Sequence, residues 1–257
     1  MNVMIEKFAT SVLLLRKAAV IVFSTAALLL LATSAHATSI VVNGSFESTT
    51  NGNGQLGYNT NATGWTTTGY NFLFASGTAN TTGANGSDGA LFLWGPANGS
   101  ANGMPASSPD GGNFIAADGD YETAAIKQTI NGLTVGDTYN VSFYWAASQQ
   151  KGFTGNTQQY WIVSLGGQTL DTTTYDLTSE GFSGWMYQTD TFTATSSSEV
   201  LSFLAHGNVP VPPFLLLDGV TMDDTKSPVP EPGTLPLLFT GLMGSLGVLR
   251  SKKWLKR

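Results

Sequence analysis

The chain has 257 residues, of which 42% are hydrophobic and only 11% charged, and it contains no cysteine, which excludes a disulfide-stapled domain. Its formal net charge of −6 combines two basic ends with a middle part, residues 38–225, that holds fifteen acidic residues against two lysines, a net charge of −13. Because phosphate binding depends on clustered Lys and Arg, nucleic acid is excluded as a partner of this middle part.

The first 37 residues have the order of a secretory signal peptide. Arg16 and Lys17 precede an apolar run over residues 18–32, and Ala35 and Ala37 stand at the two positions that a signal peptidase reads. We expect signal peptidase to cleave after Ala37, and an uncleaved signal anchor is the alternative. Export without disulfides suits a Gram-negative bacterium.

Residues 38–224 have the composition of a β domain. They are rich in Thr, Gly, Asn and Ser, with aromatic residues spaced among them, which predicts short strands joined by tight turns. Tyr139, Val141, Phe143 and Trp145 alternate with polar residues, as in a strand with one buried face. We predict an all-β fold, an antiparallel two-sheet sandwich of about ten strands. The predicted strands are residues 39–42, 72–74, 90–94, 112–117, 124–130, 139–145, 160–165, 168–171, 185–192, 200–205 and 214–222, and residues 95–112 are predicted to form a surface connection.

Motifs spread over this domain resemble those of a galactose-binding-like jelly roll, the fold of many carbohydrate-binding modules. They lie at residues 43–47, 64–65, 109–114, 126–129, 133–139 and 216–220. The resemblance implies that the segment after the first strand lies beside the last strand, where acidic side chains and carbonyls often hold a structural Ca²⁺. Glu47 and Asp218 match those positions, although the family often has Asp-Asp where this chain has Asp218-Gly219. Turn capping by the two carboxylates is the alternative.

Aromatic residues are the candidates for sugar binding, because a sugar ring stacks on a flat aromatic face while amides and carboxylates bind its hydroxyls. We predict Trp94, Trp161 and Trp185 as ligand-binding residues, with Tyr70 as a further candidate, and core packing is the alternative for each. Trp65 and Trp145 are assigned to the core. The segment 149–156, between two strands, is predicted to be a ligand or partner loop.

The domain shows no motif of a known catalytic site. After signal removal one histidine remains, His206, and no nucleophile elbow, zinc-binding helix or phosphate loop is present. Asp118-Gly119-Asp120 is predicted to form a tight turn, since it lacks the alternating ligands of a calcium loop. We therefore predict that the protein is not an enzyme. Paired carboxylates of a secreted glycoside hydrolase are a third alternative, since the sequence gives no distances between the acids.

The C-terminal end combines three parts. Residues 225–233 form a linker, residues 235–249 an apolar run, and residues 250–257 a basic end. The linker contains the motif Val229, Pro230, Glu231 and Pro232, and the basic residues are Arg250, Lys252, Lys253, Lys256 and Arg257. The prolines favour an extended, accessible motif. The apolar run predicts a transmembrane helix within residues 234–257, and the basic end places the C-terminus in the cytoplasm.

This three-part tail resembles the bacterial PEP-CTERM sorting signal, which an exosortase processes at the Pro-Glu-Pro motif. The resemblance implies export, an inner-membrane intermediate, and delivery to the cell surface or extracellular matrix of a bacterium that makes extracellular polysaccharide. We predict a non-catalytic surface or matrix protein that binds polysaccharide through a jelly-roll domain. The alternative is a structural matrix component that binds other proteins and no sugar.

Overall fold

The computed structural model describes residues 39–208 and 211–226. Within these ranges the chain is all-β apart from one short 3₁₀ helix, Pro96–Asn98, and no helix in them is long and apolar enough to span a membrane. The predicted signal peptide with its cleavage site, the motif at residues 229–232, the transmembrane helix and the basic tail lie outside the described residues.

The described residues form thirteen strands. They are β1 Gly54–Gln55, β2 Asn71–Phe74, β3 Ala84–Gly86, β4 Gly89–Leu91, β5 Phe114–Asp118, β6 Ile126–Asn131, β7 Thr138–Gln149, β8 Thr157–Leu165, β9 Gln168–Asp171, β10 Tyr175–Leu177, β11 Met186–Thr193, β12 Ser198–Gly207 and β13 Pro213–Asp224. A six-stranded sheet has the order β1-β2-β5-β13-β7-β11, and a five-stranded sheet has the order β10-β8-β12-β6 with β9 also paired to β8. β3 and β4 form a separate hairpin. All pairings between these strands are antiparallel.

The two large sheets enclose the main core, and this confirms the predicted antiparallel jelly-roll sandwich. Tyr139, Val141, Phe143 and Trp145 on β7 are buried, as their alternation predicts, and face the smaller sheet. Phe203 on β12 meets Phe143 edge to face with ring centroids 5.1 Å apart. Such aromatic pairs stabilise the fold beyond the area they bury, by roughly 1 kcal/mol each.

The outer face of the six-stranded sheet carries a second apolar layer. Phe114, Phe214 and Leu216 point away from the main core and pack with Met104 and with the β3-β4 hairpin. Residues 95–112 are therefore not a simple surface connection, because Met104 and Ser108 within them are only 6% exposed. An uncovered layer of Phe and Leu would leave a large apolar patch in water, and this segment covers part of it.

Residues 39–42 do not form the predicted first strand. The Ile40 amide donates to the Met222 carbonyl at 3.0 Å, but the Met222 amide donates to the Ser39 hydroxyl at 3.0 Å. The Val41 amide also donates to that hydroxyl, at 3.2 Å. A side chain thus replaces the backbone acceptor, and the segment lies beside β13 without a continuous ladder.

Candidate functional site

A pocket of about 370 Å³ opens where β7 ends and β13 begins. The exposed rings of Tyr121 and Phe153 line it, with 66% and 44% of each residue accessible. Tyr70 also lines it and meets Tyr121 edge to face, with ring centroids 6.0 Å apart. The polar lining consists of the carboxylates of Asp88, Asp118 and Asp120 and the amide of Gln150. The pocket thus combines accessible aromatic faces with hydrogen-bond acceptors, the mixture common in ligand sites.

Asp118 shapes the turn on one side of the pocket. Its Oδ1 accepts the backbone N–H of Asp120 at 2.8 Å and of Tyr121 at 3.0 Å, the geometry of an Asx turn. Asp118 is only 1% exposed, and burial raises the pKa of its carboxyl, while the two backbone hydrogen bonds lower it. The buried carboxylate therefore fixes the backbone on which Tyr121 stands.

The opposite side of the pocket is the loop between β7 and β8, residues 150–156, where sequence predicted a ligand loop. Trp94 donates its indole N–H to the Phe153 carbonyl at 2.8 Å. The buried Gln149 side chain donates to the Gly155 carbonyl at 2.9 Å and to the Thr157 hydroxyl at 3.0 Å. Hydrogen bonds at both the middle and the end of the loop hold the Phe153 ring at the pocket mouth.

The three tryptophans that were predicted from the sequence to bind sugar do not lie on one surface. Trp161 is fully buried and donates its indole N–H to the Leu216 carbonyl at 3.2 Å, so its prediction as a ligand-binding residue is wrong. It lies on the inward face of β8, which packs against the other sheet. Trp185 is half-buried against Phe114, and Trp94 is half-buried under the Phe153 loop. Neither lines the pocket, and their roles in binding stay predictions.

Replacing Trp161 with phenylalanine should destabilise the sandwich. The substitution leaves a cavity and leaves the Leu216 carbonyl without its indole donor, so we expect a loss of about 2 kcal/mol in the free energy of unfolding. Urea denaturation measures the change, with Tyr58→Phe as control because Tyr58 is 64% exposed. A loss below about 0.5 kcal/mol would contradict the core assignment.

A second feature is the carboxylate cluster of Glu47, Asp110 and Asp218. Asp218 is fully buried, and its Oδ2 accepts the Ser108 hydroxyl, but its Oδ1 has no hydrogen-bond partner among the described residues. Burial raises the pKa of Asp218 to about 8; hydrogen bonds lower it, and the charges of Asp110 and Glu47 raise it further. Unpaired buried carboxylate oxygens are rare, and each calls for a partner.

The turn at residues 43–47 places Glu47 beside β13, the strand that carries Asp218. Asn43 and Phe46 both have positive φ angles, +52° and +54°, and the buried Phe46 is a strained position for a bulky residue. Gly44 is required because a Cβ there would overlap the Val220 carbonyl oxygen. The Val220 amide donates to the Gly44 carbonyl at 3.0 Å, which ties the turn to β13. The resemblance-based prediction that these segments lie side by side agrees with this contact.

Gly219 follows Asp218 at a β-bulge. Its φ is +58°, and a Cβ would lie 2.9 Å from the Tyr144 ring and 3.1 Å from the Asp110 Cβ. A side chain at this position is therefore disfavoured both by backbone and by space. Asp110 brings a carboxylate from another loop to the volume beside Gly219.

The cluster offers only hard oxygen donors, the type that Ca²⁺ prefers. Glu47 is exposed and its Oε1 accepts the Asn113 amide at 2.6 Å, so part of its coordinating capacity is already used. Within residues 39–208 and 211–226 no three His, Cys, Asp or Glu side chains come close enough together to hold a metal by themselves. The unpartnered Asp218 oxygen fits a cation, with carbonyls and water needed to complete the six to eight ligands.

Sequence reasoning missed the two most exposed aromatic rings of the pocket, Tyr121 and Phe153. Phe153 does fall in the loop predicted for ligand binding, and Tyr70 was among the aromatic candidates. Tyr121 follows directly after the Asp118-Gly119-Asp120 turn. An aromatic residue next to a predicted turn is the signal that could have drawn attention to it, since a turn exposes its neighbours.

One family model matches the chain. Residues 228–253 match the PEP-CTERM protein-sorting motif, which confirms the predicted sorting tail. The motif indicates export and membrane-associated sorting toward the cell surface. No curated protein matches the chain.

Solved structures with a similar arrangement include carbohydrate-binding modules. The xylan-binding domain CBM22-1 of Paenibacillus barcinonensis Xyn10C is 12% identical with a TM-score of 0.40, and the match covers 76% of this chain and 99% of that domain. TmCBM61, solved with β-1,4-galactotriose, is 11% identical with a TM-score of 0.38, covering 73% and 99%. The enzymatically active domain of tailspike protein 4 from bacteriophage CBA120 is 15% identical with a TM-score of 0.34, covering 72% and 21%.

Proposed function

We propose that this is an exported surface or matrix protein that binds polysaccharide, without catalysis, in the pocket between Tyr121 and Phe153. The observation that carries the proposal is the pocket itself, which is lined by two accessible aromatic rings, three carboxylates and an amide. The PEP-CTERM motif supports the location, because it indicates sorting toward the cell surface.

The chemistry of the pocket suits a sugar. Pyranose rings have apolar faces that stack on aromatic rings and equatorial hydroxyls that donate to carboxylates. Tyr121 and Phe153 supply the faces, and Asp120 and Gln150 supply polar groups beside them. The volume of about 370 Å³ accommodates one or two sugar units, in the usual range of small-ligand sites.

Removing either ring should weaken binding. We expect Tyr121→Ala and Phe153→Ala each to weaken binding of a soluble polysaccharide about tenfold, since an aromatic contact contributes roughly 1 kcal/mol or more. Affinity electrophoresis against a panel of polysaccharide gels measures the change. Tyr187→Ala is the matched control, because Tyr187 is 60% exposed on β11, away from the pocket.

Three other outcomes would overturn the proposal. Equal retention of Tyr121→Ala and the unaltered protein would place binding elsewhere. Failure of every polysaccharide to bind, together with capture of a matrix protein, would favour the structural alternative. Turnover of a glycan that is lost in Asp118→Asn would instead establish a hydrolase, because Asp118 is the buried carboxylate of the pocket.

We also propose that Glu47 and Asp218, with Asp110 nearby, hold a structural Ca²⁺. The support is the unpartnered Asp218 oxygen, together with the negative charges of Asp110 and Glu47, which add to burial in raising the pKa of the Asp218 carboxyl. When bound, Ca²⁺ supplies positive charge and tie points between the 43–47 turn and β13. Asp218 would bind through its free oxygen, and Glu47 would bind from the turn.

Processing completes the proposal. We infer that signal peptidase removes residues 1–37 and that an exosortase acts at Val229, Pro230, Glu231 and Pro232. The protein then passes through an inner-membrane intermediate, held by the apolar run and basic tail, before it reaches the surface or matrix of a Gram-negative bacterium. The match over residues 228–253 supports the choice of an exosortase-type partner.

A further inference from the structure

The charged side chains that line the pocket are all negative. Asp88, Asp118 and Asp120 line it, and its described lining contains no Lys, Arg or His. The nearest lysine in sequence, Lys151, places its ammonium 5.7 Å from the Phe92 ring instead. A neutral sugar needs one or two acceptors for its hydroxyls, so three carboxylates exceed that need. An acidic polysaccharide would be repelled.

The deepest of these carboxylates is available to a ligand. Asp118 is 1% exposed, and both of its hydrogen bonds, from the Asp120 and Tyr121 amides, end on Oδ1. Its Oδ2 is therefore left for a ligand in the pocket. A buried carboxylate without a positive partner is costly, and a cation in the pocket would relieve that cost.

The pKa of Tyr70 reflects its burial and also the negative charges around the pocket. Burial raises the pKa of its hydroxyl, and the charges of Asp88 and Asp118 raise it further, with smaller contributions from Tyr121 and Glu122. The acids thus surround the tyrosine at the pocket wall. Acids spread over a solvated surface would act on it less, since water screens exposed charges.

Aromatic rings and carboxylates together can bind a cationic group such as an ammonium. Cations are attracted to the faces of Tyr and Phe within about 6 Å of the ring centroid, and an ammonium donates hydrogen bonds to carboxylate oxygens. Tyr121 and Phe153 present such faces at the pocket mouth, and Asp118 and Asp120 present the acceptors.

We propose that the pocket selects sugars that carry a free, positively charged amine, such as the glucosamine units of a deacetylated polysaccharide, over neutral or acidic sugars. This inference rests on the proposed function. It names the ligand by its amine and assigns the selectivity to Asp88, Asp118 and Asp120.

The test compares two oligosaccharides of equal length that differ only in N-acetylation. Isothermal titration of the exported protein with a glucosamine hexamer and with an N-acetylglucosamine hexamer, at 150 mM salt, should show at least tenfold tighter binding of the amine form. Asp120→Asn and Asp88→Asn should each weaken binding of the amine form about fivefold, and should weaken binding of the acetylated form clearly less, so that the preference for the amine form falls. Both residues are exposed, so these variants keep the Asp118 turn intact.

Asp171→Asn is the control, because it removes one exposed carboxylate on β9 and the same net charge. If Asp171→Asn weakens the amine form as much as Asp120→Asn, the attraction is general and the inference is overturned. Equal affinity for both hexamers, with loss in Tyr121→Ala, would overturn the amine selectivity and keep the proposed function. No binding of either hexamer or of any polysaccharide would overturn both. Tighter binding of a lysine hexapeptide than of the glucosamine hexamer would assign the pocket to protein side chains.

Discussion

A variant with Pro230, Glu231 and Pro232 all replaced by alanine is expected to keep its C-terminal tail and to remain in the inner membrane. In the proposed processing an exosortase requires the Pro-Glu-Pro motif, and without cleavage the apolar run and the basic end would retain the protein in the bilayer. The unaltered protein should leave the membrane without either end. Intact mass and cell fractionation, compared between the two forms, measure the difference.

Thr225→Ala with Ser227→Ala is the matched control, because it changes the linker beside the motif and leaves all four motif residues in place. This control should be processed like the unaltered protein. Retention of the tail in all three proteins, with each in the inner membrane, would show a simple membrane-anchored domain. Loss of the tail from the triple-alanine variant would show that the Pro-Glu-Pro motif does not direct processing.

The stability of the folded domain is expected to depend on pH through the buried carboxyl of Asp218. Its folded pKa of about 8 lies above the ordinary value near 3.8, so the folded protein binds the proton more tightly than the unfolded chain does. Without divalent cations, stability should therefore fall as pH rises from about 4 to about 8. The full cost of the ionised, buried carboxylate is reached above about pH 8 and is at most roughly 6 kcal/mol. For a domain of this size the full cost corresponds to a melting temperature lower by about 15 °C.

Calcium should offset part of this loss. It requires the ionised carboxylate, so its stabilising effect should grow over the same pH range, by about 3 kcal/mol at a concentration one hundred times the dissociation constant. In Asp218→Asn, both the pH dependence over this range and the calcium effect should disappear. Scanning calorimetry at pH 5, 7 and 9, with EDTA or with Ca²⁺, measures these changes.

Asp171→Asn serves as the control and should behave like the unaltered protein, since Asp171 is exposed. A calcium effect that persists in Asp218→Asn would move the site elsewhere. A melting temperature independent of both pH and calcium in the unaltered protein would contradict the proposed cation site.

The fold was predictable where one strand carries a strong local pattern. β7 alternates over its first eight residues, 138–145, and β8 with β9 forms the hairpin that a Gly166-Gly167 turn indicates. β1, β3 and β10 have only two or three residues, too few to show a period of two. Residues 95–112 look like a surface connection because their few apolar residues are isolated in sequence. Their contact with Phe114 and Leu216 arises only in three dimensions.

The candidate site was predictable only in part. The Glu47 and Asp218 pair came from a resemblance, and the structure adds Asp110, which is distant in sequence from both. The sequence alone does not show that Trp161 is buried. Its neighbours on the inward face of β8 include the polar Gln159, which is itself buried, so the pattern of apolar residues does not identify that face. The pocket gathers residues from position 70 to position 212, and no local pattern links them.

The most direct test of polysaccharide binding at this pocket is an NMR titration of ¹⁵N-labelled exported protein with the soluble polysaccharide that its gel assay selects. We expect saturable shifts of the backbone amides of Asp120, Tyr121 and Phe153, with amides on β9 unchanged. Shifts confined to the Tyr144 and Tyr187 face of the six-stranded sheet, or no shifts with any polysaccharide, would contradict binding at this pocket.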